Sequence, residues 1–503
     1  MELELNERSF PYLGCVFHQV VHQEETGETI VPDTYPDIGQ IVHAYAGTII
    51  RGKDIRDKSI VISGGVKGGV IYVPDDHSAA RELSFYLPFH VKLDPPDLTE
   101  QARVICSCKI CAVDAKIVNS RKAMLRIDLG CCVSAYEQAY GFAYDPVDIP
   151  NDLQLREKEY VLQLPIDLSE KTFMISDTLE LPSSRPPIHL ICKRTCHLEM
   201  LDQKLVGNKG VFKGTAAVKI LYLSEDERFY TYTWQLPFSQ YCEFAEDHDR
   251  GSLELEPVLT GYELGPEGTN DHYKLDLSLH LLVQGLVLEG RELKVIDDAY
   301  CVRQRFSPEW KRYTMDICLD RQQDRRSVRH RINRRMNELI DNDLYVGYPC
   351  TDRAADQVKL LSDAQIHIFG INENGDLAEI VERIEDAQVF SLSEHASVMA
   401  SADLATGVDI SNLPDSMQVM CDILRSVSFY AKKDIQTLCG GVLDAVEFDG
   451  QEQPSVIIKK VPEQTELWEL AKLHHSRVDS ICAVNGLKEP TLESEQVLLI
   501  PVG

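Results

Sequence analysis

The chain has no run approaching the ~18 apolar residues of a membrane-spanning helix. Its first residues, Met1-Glu2-Leu3-Glu4-Leu5-Asn6-Glu7, are acidic and lack an apolar h-region. No secretory signal is therefore expected, and the protein is expected to stay in the compartment where it is made. Positive charge is scarce: 51 Lys and Arg stand against 80 Asp and Glu, for a net charge of −29. That field repels nucleic acid and anionic lipid, which argues against general binding to either, and it suits basic or neutral protein partners. Catalytic signatures are also missing. His18 and His22 lie four apart, but without the glutamate of a His-Glu-x-x-His site. Gly64-Gly65-Val66-Lys67-Gly68-Gly69 lacks the Gly-Lys-Ser/Thr ending and the following helix of a phosphate loop. Inside a β pattern those glycines mark a bulge or a close approach of strands. Nothing assembles a nucleophile, a base and an oxyanion donor. The chain reads as a non-enzyme, with no cofactor or metal implied.

The length of 503 residues corresponds to about three to five domains. A content of 44% hydrophobic and 26% charged residues is that of a globular protein, since disorder needs far fewer apolar residues. Fifteen scattered cysteines without an export signal read as free thiols in a reducing cytosol. The nearest approach to a metal motif is Cys106-Ser107-Cys108-Lys109-Ile110-Cys111. A zinc site would want a second CxxC or a paired histidine. Val104, Cys106 and Cys108 instead alternate as one face of a strand.

A repeat near 150 residues organises most of the chain. Ile30-Val31-Pro32-Asp33-Thr34-Tyr35-Pro36-Asp37-Ile38 is echoed by Glu180-Leu181-Pro182-Ser183-Ser184-Arg185-Pro186-Pro187-Ile188. Val61-Ile62-Ser63-Gly64 pairs with Val211-Phe212-Lys213-Gly214, and Val70-Ile71-Tyr72-Val73 with Ile220-Leu221-Tyr222-Leu223. Each copy then has an acidic turn and closes on Leu-Pro-Phe, at Leu87-Pro88-Phe89 and Leu236-Pro237-Phe238. A fainter third copy places Ile366-His367-Ile368-Phe369 about 147 residues after Tyr222, with Gln388-Val389-Phe390 in place of Leu-Pro-Phe. Its Asn374-Gly375 predicts a hairpin with a type I′ turn. Period-two runs such as Val218/Ile220/Tyr222 and Leu275/Leu277/Leu279/Leu281 predict antiparallel β, as a sandwich or open barrel. Pro88 and Pro237 should mark a strand start or edge.

Two Pro-containing polar stretches read as junctions: Tyr144–Asp152 and Asp449–Pro454. The expected units are 1–150, 151–305 and 306–448, each a β domain, then a C-terminal module at 455–503. Residues 303–335 form a basic island with Val328, Ile332, Met336 and Ile340 at helical spacing, or Val328, His330 and Ile332 as a strand face. Its simplest reading is a charged face paired with acids of the same chain. An acidic protein partner is the alternative, and nucleic acid or membrane binding is opposed by the rest of the chain.

The last residues have a different grammar. Val456-Ile457-Ile458-Lys459 reads as a strand. Thr465 can cap a helix carrying Leu467, Leu470 and Ala471. Ser476 can cap a second with Val478 and Ile481, ended by a left-handed Gly486. Val497–Pro501 closes as a strand, giving β-α-α-β. With Val461, Leu467, Trp468, Leu470, Ala471, Ile481, Asn485, Gly486, Leu487, Gln496, Leu498, Ile500 and Pro501, this resembles a LysM module. The Gly-Asp-Thr slot of that family, which borders the N-acetylglucosamine groove in glycan-binding members, holds Gln464, Thr465 and Glu466. A side chain where glycine admits a sugar favours a polypeptide ligand over a glycan.

The repeats, on Ile30–Asp33, Pro36–Ile38, the Leu-Tyr hairpin and Leu-Pro-Phe, look like SPOCS domains of sporulation proteins. Together the two resemblances imply the clostridial spore-coat morphogenetic family whose LysM docks onto the coat's ATPase scaffold. The implied protein is a non-enzymatic adaptor of the mother-cell cytoplasm at the forespore surface. Its partners would be that ATPase and other coat proteins, with the β units as spacer and multivalent surface. The alternative is a peptidoglycan binder of the cell wall or cortex. The expected partner-contact residues are Gln464, Thr465, Glu466, Trp468, Asn485, Gly486 and Leu487.

Overall fold

The computed structural model describes residues 2–266, 272–354, 357–391, 396–405, 407–447, 454–492 and 494–502. Residues 449–453 of the expected last junction lie outside the described residues. The fold is mainly antiparallel β. The first third of the chain carries β1 (Leu5–Ile30), β2 (Ile38–Arg56), β3 (Ser59–Pro74), β4 (Arg81–Leu93), β5 (Arg103–Asn119) and β6 (Lys122–Pro146). They form two sheets, β1-β6-β5 and the meander β2-β3-β4. Alternation along β5 and β6 sends Val104, Cys106, Cys108, Leu129, Cys131 and Val133 inward. There they meet Ile60, Ile62 and Phe89 of the meander, so the unit is a sandwich.

The second third repeats this order with β7 (Leu153–Glu180), β8 (Leu190–Val206), β9 (Lys209–Leu223), β10 (Phe229–Glu243), β11 (Ser252–Pro266) and β12 (Lys274–Cys301). The last third repeats it with β13 (Gln304–Ile332), β14 (Glu338–Val346), β15 (Cys350–Ala354), β16 (Gln357–Ile371) and β17 (Leu377–Ser391). It ends with β18 (Ser397–Leu404), β19 (Asp409–Asn412) and β20 (Met417–Glu447). Here two strands of the plan are split into pairs, β14 with β15 and β18 with β19, each pair lying along one partner strand. The expected junction at 144–152 begins later than anticipated. Tyr144, Asp145 and Pro146 belong to β6 and pair with Glu7, Asn6 and Leu5.

The repeat signature now has a physical cause. Gly64 lies across from Phe89, and Gly214 across from Phe238. A Cβ on Gly64 would meet Phe89 Cζ and the Ile49 carbonyl oxygen, both at 2.4 Å. The phenylalanine of Leu-Pro-Phe therefore needs a bare backbone opposite it. Tyr72 and Tyr222 are fully buried and donate to the carbonyls of Pro36 and Pro186, tying the Pro-rich loop to the meander. Pro88 and Pro237 sit inside β4 and β10, which are edge strands.

The third copy solves the same positions differently, which corrects its alignment. Phe369 packs beside Ile71 and Leu221, so the offset is 148 and Gly370 stands in the tyrosine position. The Gly–Phe pair becomes Ser362 across from Asp386. Gln388-Val389-Phe390 is therefore not the counterpart of Leu-Pro-Phe. The space is filled by Arg425, fully buried, which donates to Ser362 Oγ at 3.1 Å and pairs with Asp386. At Asn374-Gly375 a hairpin forms, but only Gly375 takes positive φ, so the turn is not type I′. The basic island lies mostly in β13, not in a helix. Its bases pair within the chain, Arg321 with Glu254, Arg325 with Asp422 and Arg334 with Glu382.

The three sandwiches share cores and are not strung out as a spacer. Val42 and Ile71, Cys192 and Leu221, and Phe369 with Ile340 meet in one cluster. These are equivalent positions of the three copies, so the meanders pack around an approximate threefold line. A second shared cluster joins Tyr12, Leu164 and Met315 of β1, β7 and β13.

Removing the Arg425 cation should test the third copy's substitution for Gly–Phe. Arg425→Met leaves Asp386 without its cation and is expected to cost about 3–5 kcal/mol in urea unfolding. Adding Asp386→Leu is expected to recover part of that loss.

Candidate functional site

The C-terminal residues form β21 (Val456–Val461), α1 (Leu467–Leu473), α2 (Val478–Asn485) and β22 (Gln496–Pro501), with β21 antiparallel to β22. Leu467, Leu470, Ala471, Ile481, Leu498 and Ile500 are buried together beneath the two-stranded sheet. Gly486 is left-handed at φ 66° and ends α2, as expected. Neither expected N-cap is used. The cap positions are Glu466 and Arg477, and neither makes a side-chain cap bond. Thr465 Oγ1 instead donates to the Pro462 carbonyl at 2.9 Å.

A family model for the LysM domain matches residues 467–501. The match covers both helices and β22, and β21 completes the β-α-α-β order. No curated protein and no solved structure matches the chain. Among the described residues no helix is long and apolar enough to cross a membrane.

In this LysM module the loop before α1 and the loop after α2 lie side by side. Gln464 N–H donates to the Leu492 carbonyl at 2.8 Å, Leu467 N–H to Pro490, and Leu492 N–H to Thr465. Gln464, Glu466, Glu489, Pro490 and Thr491 are exposed along this seam, and Thr465 is half-buried. Gln464 has φ 62°, so the family's glycine slot here requires a left-handed residue and not only a small one. The Asn485-Gly486-Leu487 turn does structural work. Asn485 Nδ2 donates to the carbonyls of Ile481 and Leu499, and its Oδ1 accepts from Leu499 N–H at 2.8 Å. Leu487 is half-buried against the module core.

Trp468 faces the second sandwich. Its Nε1 donates to Asp298 Oδ2 at 2.8 Å, its ring meets Tyr300 edge-on at 5.0 Å, and the Arg156 guanidinium lies 5.6 Å from the ring centroid. Lys472 also donates to Asp298, Tyr300 OH donates to the Ser476 carbonyl at 2.8 Å, and Arg477 pairs with Asp152. Burial pushes the Asp298 carboxyl up, but the bonds from Lys472 and Trp468 outweigh it and hold it below the usual range. The module is thus seated on the ends of β7 and β12. Asp298, Tyr300 and Arg156 had no local sequence signal, because their partners lie roughly 170 residues or more away.

A cavity of about 2460 Å³ lies elsewhere and is lined by all three sandwiches. Its Lys109 and Asp403 pair with one another, and Arg194 lies 3.8 Å from Glu82. Burial pushes the Glu256 carboxyl there up to about 7. The thiols of Cys106, Cys132 and Cys196, which line it, are likewise pushed up by burial to about 12, which keeps them protonated and unreactive.

Two outcomes are expected. Gln464→Gly should stabilise the module by about 1 kcal/mol, because glycine takes left-handed φ without strain, read as a raised melting temperature. Asp298→Ala should loosen the docking by about 1–2 kcal/mol, a figure discounted because Lys472 is 40% exposed. Tryptophan emission should shift to the red. The docking contribution of Asp298 is complete at neutral pH and is lost as pH falls below the ordinary aspartate value of 3.8.

Proposed function

We propose that the protein is a non-catalytic binding scaffold whose recognition end is the LysM module. The observation that carries this reading is the LysM match, together with a docking that leaves the loop seam at Gln464, Glu466, Pro490 and Thr491 exposed. The matched family supports an N-acetylglucosamine glycan, as in peptidoglycan, as the ligand class. A glycan lying along the seam would take hydrogen bonds from Gln464 and give one to Thr465 Oγ1, whose own proton is held by the Pro462 carbonyl, while Pro490 offers an apolar surface. Trp468, Asn485, Gly486 and Leu487 hold the module together or in place.

A second reading is favoured by the SPOCS-like residue marks and by Gln464 itself. It makes the protein an adaptor of spore-coat assembly at the forespore surface, in the mother-cell cytoplasm. The same seam then takes a polypeptide surface of the coat ATPase scaffold. A side chain at the glycine slot narrows the approach of a sugar and adds a donor and an acceptor suited to backbone groups.

One paired experiment separates the readings. The full chain and a chain truncated after Pro454 are incubated with purified peptidoglycan and, separately, with the coat ATPase. Retention on peptidoglycan by the full chain alone supports the first reading. Recovery of the ATPase by the full chain alone supports the second. Equal behaviour of both chains in both arms overturns the LysM module as the recognition end.

A further inference from the structure

Beside the threefold junction, one strand position carries three different residues in the three copies: His43, Lys193 and Asp341, all buried. Asp343, His367 and Glu379 of the third sandwich surround them. Lys193 donates to Asp341 at 2.7 Å and pairs with Asp343, and Lys219 also pairs with Asp341. Those bonds account for the two lysines and two aspartates. The two histidines and Glu379 are a separate problem.

The outer nitrogen of each ring faces an acceptor. His43 Nε2 lies 3.2 Å from Asp343 Oδ2, while the Lys193 ammonium, committed to the aspartates, is farther at 3.4 Å. His367 Nε2 lies 2.9 Å from Gln365 Oε1. That amide oxygen is identified by the Val113 N–H, which donates to it at 2.9 Å. Both Nε2 atoms therefore carry the proton. In neutral rings both Nδ1 atoms then present lone pairs, and both point at one carboxylate oxygen. Glu379 Oε1 is 2.6 Å from His43 Nδ1 and 2.7 Å from His367 Nδ1. Three electron-pair donors converging in a buried place, each imidazole backed by an acceptor on its far nitrogen, is the arrangement of a metal site with its outer shell in place.

We propose that His43 Nδ1, His367 Nδ1 and Glu379 form a structural site for a divalent ion of the zinc class, joining the first sandwich to the third. Two imidazoles and one carboxylate suit Zn²⁺, with a fourth position for water. Bonds of about 2.0–2.1 Å place tetrahedral ligand atoms roughly 3.3 Å apart, so each nitrogen–oxygen separation, now 2.6 and 2.7 Å, opens by about 0.6–0.7 Å on binding. The ion replaces two protons that the histidines otherwise need for Glu379, and it neutralises a carboxylate that burial would penalise. His43 comes from β2, and His367 and Glu379 from β16 and β17, so the ion bridges the first sandwich and the third.

The test uses the full chain. Chelator-treated protein is given Zn²⁺ alone, dialysed and analysed for metal, and its zinc absorption edge is measured. One zinc per chain is expected, with a nitrogen and oxygen shell at about 2.0–2.1 Å, and with binding lost in His367→Gln and in Glu379→Gln. A shell of sulfur at about 2.3 Å would assign the metal to the cysteines and overturn the proposal. No stoichiometric zinc in the folded wild type also overturns it, leaving a carboxylate shared by two imidazolium rings. Retention of zinc by both variants overturns it equally. Circular dichroism shows whether each variant folds; if neither does, the wild-type shell decides.

Discussion

Each meander carries a buried apolar row on its outer face as well as on its inner one, and that constraint governs the rest of the architecture. Along β9, Val218, Ile220 and Tyr222 fill the second sandwich, while Leu221 and Leu223 face out of it and are equally buried. The first copy does the same with Ile71, and the third with Phe369. A single sandwich would leave this outer row in water, at a cost of roughly 1.5–3 kcal/mol for each large apolar side chain. Three copies around one line cover one another's rows. The units are thus parts of one body, and a spacer of independent beads is not available to this sequence.

Threefold packing brings equivalent residues together, and identical charges at such a place would repel. The chain resolves this by diverging: histidine, lysine and aspartate occupy one strand position and form a mixed-charge cluster. The same divergence appears at the Gly–Phe position, where the third copy substitutes Ser362, Asp386 and Arg425. The third copy is hard to see in the sequence because the marks within its own sandwich are replaced, Gly–Phe by Ser362, Asp386 and Arg425 and the tyrosine by Gly370, although its strands follow the same order.

The LysM module depends on the same body. Its Trp468, Lys472 and Arg477 are held by Asp298 and Asp152, and its core is continuous with Tyr300 and Val302 of the second sandwich. Trp468 therefore serves as an internal anchor. The loop seam around Gln464 stays exposed, and its orientation is set by where the helices dock.

Much of this was legible in the linear pattern. Period-two alternation specified antiparallel sandwiches, because a strand with one wet face must alternate. The paired prolines, tyrosines and Leu-Pro-Phe specified the first two copies, because each mark is a local contact repeated. The module's apolar spacing and Gly486 specified β-α-α-β. Helix caps were misplaced by one residue, since Thr465 and Ser476 are drawn into loop and docking contacts. Only tertiary structure decided that the three units share cores, that Trp468 is half-buried against the second sandwich, and that His43 meets His367 and Glu379. Those facts rest on contacts between residues about 150 to 336 positions apart, where local propensity carries no information and burial of a shared apolar face decides the outcome.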